Sequence, residues 1–299
     1  MLIIAVAPLF RRPPIGRLPE QRKADRLMSN FAVSPRDVVS SIWDNRRLLR
    51  AMIRREVLGR YRGSFMGILW SFFNPLLLLV TYTFVFSVVF KARWDAGNES
   101  KTQFAIVLFA GLTVFNLFAE CINRAPGLIL PNTNYVKKVV FPLEILPCVI
   151  VGSALFHAMI GLGVWLLAYL VLFGLPPLTA LLLPLVIVPF ILLILGLSWM
   201  LASLGVYLRD VSQFIGIATT VLMFLSPIFY PVTALPAAYR HLLQFNPVTL
   251  PVEMTRDLLI WGRLPDLLPL AIYTVLSVFV AWIGFAWFQK TKGGFADVL

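Results

Sequence analysis

The sequence predicts an all-α integral membrane protein. Six transmembrane helices are expected, with both ends inside (N-in/C-in). An amphipathic interfacial helix precedes the first span, and short re-entrant helices lie on the outer side between spans five and six. Three observations predict this. The 299 residues are 59% hydrophobic and 13% charged, against roughly a quarter charged in soluble domains, so lipid must be the solvent. The apolar residues form long unbroken runs, where barrel strands would alternate over about ten positions, and helices then satisfy the backbone in lipid. Finally, 20 of the 26 Lys and Arg fall on one side of a six-span trace, as the positive-inside rule requires.

Residues 1–33 are Pro- and Arg-rich and read as a mobile cytoplasmic tail. Met1 to Phe10 is apolar but lacks the basic start and small-residue cleavage site of a signal peptide. Residues 34–62 form the amphipathic region. Ser34 caps, Pro35 takes the first helical position and Asp37 reaches back. Leu48, Leu49, Met52 and Ile53 share one face, with Arg47, Arg50 and Arg54 opposite, the pattern of a helix lying in a membrane interface. A plain basic flank to the first span gives the same composition, and the apolar face drifts after Arg55.

Residues 63–289 hold the spans. Gly63 to Phe90 is the first, and Thr102 to Ala119 the second, running on past Glu120. Ile145 to Leu208 contains no Asp, Glu, Lys or Arg and is too long for one helix. Gly174-Leu175-Pro176-Pro177 divides it. Val211 to Tyr239 gives the fifth span, ending near Pro227, and Leu267 to Gln289 the sixth. Residues 290–299 form a cytoplasmic C-terminal tail. The inner side carries 14 cations before Gly63, then Arg124, Lys137, Lys138, Arg209, Lys290 and Lys292; the outer side carries Lys91, Arg93, Lys101, Arg240, Arg256 and Arg263. The net charge of +12 is therefore a topology and headgroup signal, and no nucleic-acid partner is expected. Six prolines between Pro227 and Pro265 break the outer segment into pieces too apolar for a free loop, which suits short helices buried in protein.

Several chemistries are excluded. The chain has no phosphate-binding Gly-rich loop ending in Lys-Ser/Thr, and Cys121 and Cys148 make no disulfide framework or metal site. His157 lies in an apolar span without a charged neighbour in sequence and reads as a hydrogen-bonded packing residue. Ion coupling would need ionisable groups at mid-membrane, and only Glu120 is offered, at a helix end. On an ideal helix Phe72, Tyr82, Phe86 and Phe90 fall within about 80° of one another. Such a stripe could stack on sugar rings, although spacing by itself favours packing or lipid-facing aromatics. The inner loop Asn132 to Pro147 pairs a short amphipathic piece with two prolines and exposed apolar residues, a suitable docking element.

Five motifs then stand in order: Arg60-Tyr61-Arg62-Gly63-Ser64-Phe65-Met66-Gly67 running on to Asn74-Pro75, Lys137-Lys138-x-x-Phe141-Pro142-x-Glu144-x-Leu146-Pro147, Arg209-Asp210-Val211, Asn246-Pro247, and Gly294-Phe295-Ala296-Asp297. Over residues 36 to 299 the chain resembles polysaccharide-export permeases, the membrane subunits of type-2 ABC exporters. It is most similar to O-antigen export permeases, with capsule and teichoic acid permeases as relatives. The resemblance implies a multi-pass protein of the bacterial cytoplasmic (inner) membrane, a homodimer with two copies of a separate cytoplasmic ATPase, and a lipid-linked polysaccharide as cargo. ATP and Mg²⁺ would be bound by that partner, with no cofactor on this chain. Asn134, Lys137, Lys138, Phe141, Pro142 and Glu144 would form or adjoin the ATPase docking element. Outer gate helices are implied around Pro227 to Trp261, and a glycan channel at the dimer interface. By charge placement Arg54, Arg55, Arg60 and Arg62 would meet lipid headgroups, and by aromatic spacing Phe72, Tyr82, Phe86, Phe229 and Tyr230 would line the channel. A permease for a lipid or drug, or a membrane-embedded glycolipid-processing enzyme, are the competing readings; the enzyme would need polar catalytic residues converging at one interface.

Overall fold

The computed structural model describes residues 35–89, 94, 101–137, 141–234, 236, 238, 243 and 245–299. The 1–33 tail, the Ser34 cap, Lys138 and Phe90 lie outside the described residues. Among those described there is no strand.

The N-terminal helices are α1 (Pro35–Asp44) and α2 (Arg46–Arg60). Pro35 occupies the first helical position, where its missing N–H costs nothing. The apolar face of α2 is laid on protein: Met52 and Val57 are buried, Leu49 and Ile53 pack on the core, and Arg47, Arg50 and Arg54 stay exposed. Ile53 fills the space that a side chain at Gly152 would need.

A 3-10 turn, Gly67–Leu69, leads into α3 (Trp70–Tyr82), which continues as a π-helical stretch over Thr83–Val89. Thr83 Oγ1 donates to the Leu79 carbonyl at 2.7 Å where the register changes. The next helix, α4 (Lys101–Arg124), is the buried centre: Ile106, Val107, Leu108 and Cys121 are all 1% exposed or less. A helix apolar on nearly every side has to be surrounded, and α4 is flanked by the first span, the two long helices that follow the loop after α4, and the two shorter helices after those. After it come a 3-10 turn over Leu130–Asn132 and the short α5 (Thr133–Lys137).

Helices α6 (Ile145–Phe173) and α7 (Leu183–Tyr207) are separated as the Gly-Pro-Pro break requires. Gly174 closes α6 at φ +86°, donating its N–H to Leu170, a backbone that favours glycine. Then follow α8 (Val211–Leu225), α9 (Thr249–Arg256) with a π-helical extension Asp257–Trp261, α10 (Leu267–Thr291) and α11 (Phe295–Val298). Both α9 and its extension are buried in protein, with Val252, Met254, Leu258 and Leu259 at 5% exposure or less.

Five helical segments are long and apolar enough to cross a membrane: Gly67–Phe86, Thr102–Arg124, Ile145–Phe173, Leu178–Tyr207 and Leu267–Val298. The expected fifth span departs from this pattern. Helix α8 has 15 residues, about 22 Å at 1.5 Å per residue, short of the roughly 30 Å hydrocarbon core. It stops because Pro227 follows Ser226 and cannot continue the ladder. Arg256 also departs from the sequence reading: counted there among the outer loop charges, it is 1% exposed.

Helices α7 and α10 form the most extensive pair. Gly196 and Gly284 let them close up there: the Gly196 backbone fills the space a Cβ on Gly284 would occupy, and the Val280 and Ala281 backbone fills that of a Cβ on Gly196. Towards the C-terminal ends of both helices Ser203 Oγ and Thr291 Oγ1 lie 2.7 Å apart, and Tyr207 Oη donates to the Thr291 carbonyl at 3.0 Å. The segment after α10 folds back, burying Phe295 completely against Tyr207 and Phe288. Trp199, 1% exposed, donates to the Glu144 carbonyl at 2.9 Å. Trp199→Phe keeps most of the ring volume but removes one donor to that carbonyl, which Cys148 Sγ also approaches at 3.8 Å, so a loss of about 0.5–1.5 kcal/mol is expected, read as a lower melting temperature in detergent.

Candidate functional site

Three clusters gather the residues the sequence points to. The first is the loop between α4 and α6. Asn134 and Lys137 are exposed on α5, while Phe141 and Pro142 are half-buried. The Tyr135 and Phe141 rings stack at 4.4 Å, and both guanidinium nitrogens of Arg55 lie 3.3 Å from Tyr135 Oη. Arg55 therefore ties α2 to the loop, although its side chain remains exposed. Glu144 turns inward: its carboxylate accepts from Ser41 Oγ at 3.2 Å and from Lys292 Nζ at 3.3 Å. With its side chain 12% exposed, Glu144 is a joint between α1, the loop and the C-terminal segment, and among the described residues of this loop Asn134 and Lys137 point outward.

The second cluster lies where α2, α4 and α6 meet. Arg60 Nη2 sits 2.8 Å from Glu120 Oε1, and Arg60 Nη1 sits 2.8 Å from His157 Nδ1. His157 Nδ1 is also 3.2 Å from Glu120 Oε2. One ring nitrogen cannot serve both contacts: with a proton it donates to Glu120, and without one it accepts from Arg60. Arg124 pairs with Glu56 and approaches Glu120 at 3.5 Å. Two arginines are thus matched by two glutamates, with the histidine added. Tyr61 packs edge-on against the His157 ring at 6.1 Å. Burial raises the Tyr61 phenol above its usual pKa, against the lowering effect of Arg60. These residues border a cavity of about 500 Å³, to which Asn74, Thr113, Asn116 and Asn123 add further polar groups.

Sequence reasoning missed this cluster because Arg60, Glu120 and His157 stand far apart along the chain. It did read His157 as a hydrogen-bonded residue. A signal was present in α4, where Thr113, Asn116, Glu120 and Asn123 recur at helical spacing and so share one face. Arg54 and Arg62 are exposed and belong to neither cluster.

The third cluster is aromatic. Phe86 lies 6.3 Å from Tyr82, 5.4 Å from Phe104 and 6.1 Å from Phe229, and Phe229 stacks on Phe224 at 5.8 Å. Tyr230 Oη donates to the Phe224 carbonyl at 3.1 Å. Phe72 is elsewhere, edge-on to Phe73 at 6.0 Å and packed with Leu79, Ile106 and Trp165. The single stripe expected from Phe72 to Phe86 is therefore divided. An arc of about 80° is wide enough to straddle two neighbouring helices, and the division falls between Phe72 and Tyr82 within α3.

These clusters lie in the region matched, over residues 47–260, by the model of the ABC-2 type transporter family. The chain belongs to the ABC-2 type transporter family. Among relatives of this ABC-2 chain is the O-antigen export system permease protein RfbA of Myxococcus xanthus, 27% identical over 262 residues, which cover 87% of this chain and 98% of the relative. RfbA of Klebsiella pneumoniae is 25% identical over 254 residues, 84% of this chain and 95% of the relative. The polysialic acid transport protein KpsM of Escherichia coli is 25% identical over 240 residues, 78% of this chain and 90% of the relative. The ABC-2 chain is thus a multi-pass membrane protein of a transporter permease family. The family match spans most of α2 through α9 and includes the loop, the Arg60–Glu120–His157 cluster and the aromatic group.

Proposed function

We propose that this chain is the membrane subunit of an ATP-driven exporter that carries a lipid-linked polysaccharide, O-antigen-like or of the capsule or teichoic type, out across the bacterial cytoplasmic membrane. The observation that carries this reading is the alignment with O-antigen export permeases over 84–87% of the chain. The arrangement is six spans, N-in/C-in, with α8 as the short fifth span and α9 with its extension as an outer re-entrant element. The chain works as a homodimer. Exposed Phe214, Ile217, Val221 and Phe224 give α8 an apolar face that a second copy or lipid would cover.

Two copies of a cytoplasmic ATPase bind ATP and Mg²⁺ and dock on the inner loop. Asn134 and Lys137 make the outward contacts, joined by Lys138, while Phe141, Pro142 and Glu144 hold the loop to the body. Arg54 and Arg62, with Arg55 and Arg60 behind them, attract the anionic headgroup of the carrier lipid. Tyr82, Phe86, Phe229 and Tyr230 offer flat faces to the sugar chain on its outward path, and Phe72 lies on the inner half of the first span. The polar cavity beside Arg60 supports this reading, because hydroxyl-rich cargo needs hydrogen-bonding walls inside the membrane.

The test is ATP hydrolysis by the chain reconstituted with its candidate ATPase, comparing wild type with the pair Lys137→Glu and Phe141→Ala. Wild type should form the complex and couple hydrolysis to glycan export. The variant should fold and lose about tenfold or more in coupled export, the scale of a lost interface hot spot. No complex with wild type, together with no effect of the variant, would sink the reading.

A further inference from the structure

Arg256 is the charged residue among the largest fully buried side chains, 1% exposed, and it has no part in the inner site. Its Nε donates to the Val107 carbonyl of α4 at 3.1 Å, Nη2 to the Ile228 carbonyl at 2.8 Å, and Nη1 to the Pro227 carbonyl. Nη1 also reaches Glu253 Oε1 at 3.0 Å, one turn back on α9. The guanidinium lies 4.4 Å from the Trp94 ring centroid, a cation–π contact. Gly111 makes the room: a Cβ there would stand 2.5 Å from Nη2.

The two acceptors beyond α4 belong to the turn that ends α8. Buried carbonyls need partners, and this turn supplies little of its own, with one short bond from Ile228 N to the Ser226 carbonyl at 2.7 Å. Tyr230 Oη and Ser226 Oγ tie the turn back to α8 itself, and Asn246 anchors it from outside, its Nδ2 donating to Ser226 Oγ at 2.9 Å. The planar guanidinium fork thus joins α9, the end of α8 and the middle of α4. Glu253 gives the join a second property. It sits on the same helix as Arg256 and its side chain is 36% exposed. If the carbonyls are given up, the guanidinium stays paired and no charge is stranded.

We propose that Arg256 is a release pin for the outer end of α8, a positioning residue that holds this end against α9 and α4 at rest and lets it go as a unit while remaining paired with Glu253. That the pin guards the outward path of a glycan rests on the export reading; the pin itself concerns only α4, α8 and α9.

The experiment uses the full chain in lipid vesicles, as wild type, Arg256→Gln, Arg256→Lys and Gly111→Ala. Spin labels at Leu225→Cys and Leu264→Cys, diluted with unlabelled chain, report the distance between the end of α8 and the segment after α9. Leakage of trapped carboxyfluorescein reports the outer seal, and size-exclusion yield reports folding. Arg256→Gln should broaden the resting distance distribution and raise leakage by about tenfold or more, the scale of one lost charge-assisted hydrogen bond. Arg256→Lys keeps the charge without the fork and should fall between. Gly111→Ala crowds the guanidinium without removing a donor and should shift both readouts the same way.

Folded Arg256→Gln chain with wild-type distances and leakage overturns the proposal. If Arg256→Gln does not fold, wild-type behaviour of both other variants overturns it. A wild-type complex that exports no glycan would count against the proposed function, while the distance measurement still decides the pin.

Discussion

Replacing Gly284 with leucine will abolish a stable fold. A Cβ at Gly284 would fall on the Gly196 carbonyl, and a Cβ at Gly196 would fall on the Val280 carbonyl and the Ala281 Cα. The obstacle on both sides is backbone, which cannot rotate aside as a side chain does. Small residues at such crossings let helices approach closely where lipid gives no hydrophobic drive to association. Overpacking usually costs about 1–3 kcal/mol, and the full leucine side chain should reach or exceed the top of that range. The measurement is monodisperse yield and melting temperature in detergent, with Gly163→Leu as control because nothing lies within 4 Å of its Cβ position. A Gly284→Leu chain that melts with wild type would refute the close crossing.

Glu120→Ala should be the most damaging single change at the inner cluster. It removes the carboxylate shared by Arg60, His157 and Arg124 and leaves cations facing one another. Complete burial would make the loss larger, but Arg60 is 42% and Arg124 32% exposed, so water offsets part of it and about 1–3 kcal/mol is expected. A double-mutant cycle with Arg60→Gln isolates the pair. The expected coupling is about 0.5–3 kcal/mol, and zero coupling would show that the contact contributes nothing to holding α2 on α4. Loss of this contact should also raise proteolysis between Arg60 and Ser64, because the helix end would lose its tie.

The spans were legible because they rest on composition and punctuation, both local properties. Gly174 to Pro177 marked the break between α6 and α7, and charge-free runs bounded α3, α4 and α10. The length of α8 was legible in part: Pro227 was seen as its end, but a charge-free run to Tyr239 suggested more apolar length than the helix uses. The sites were less readable because they depend on where distant segments meet. Glu120 and His157 are 37 residues apart, and their pairing needs α4 to lie against α6, which no local pattern states. Arg256 was harder still. A lone arginine among prolines looks like a loop charge, and its burial depends on carbonyls at Val107, Pro227 and Ile228 that carry no mark in sequence. The aromatic stripe divided for another reason: Phe72 and Tyr82 lie at different places on the arc of α3 and pack against different clusters, while Tyr82 and Phe86 stay together across Thr83.

The crossing of Gly196 with Gly284 has a mechanical consequence. Helices that touch through backbone have no compliant side-chain layer between them, so α7 and α10 translate and tilt as one lever. The pair is tied to Glu144, through Trp199 on one helix and Lys292 just beyond the other. A displacement of Glu144 would therefore move both helices together.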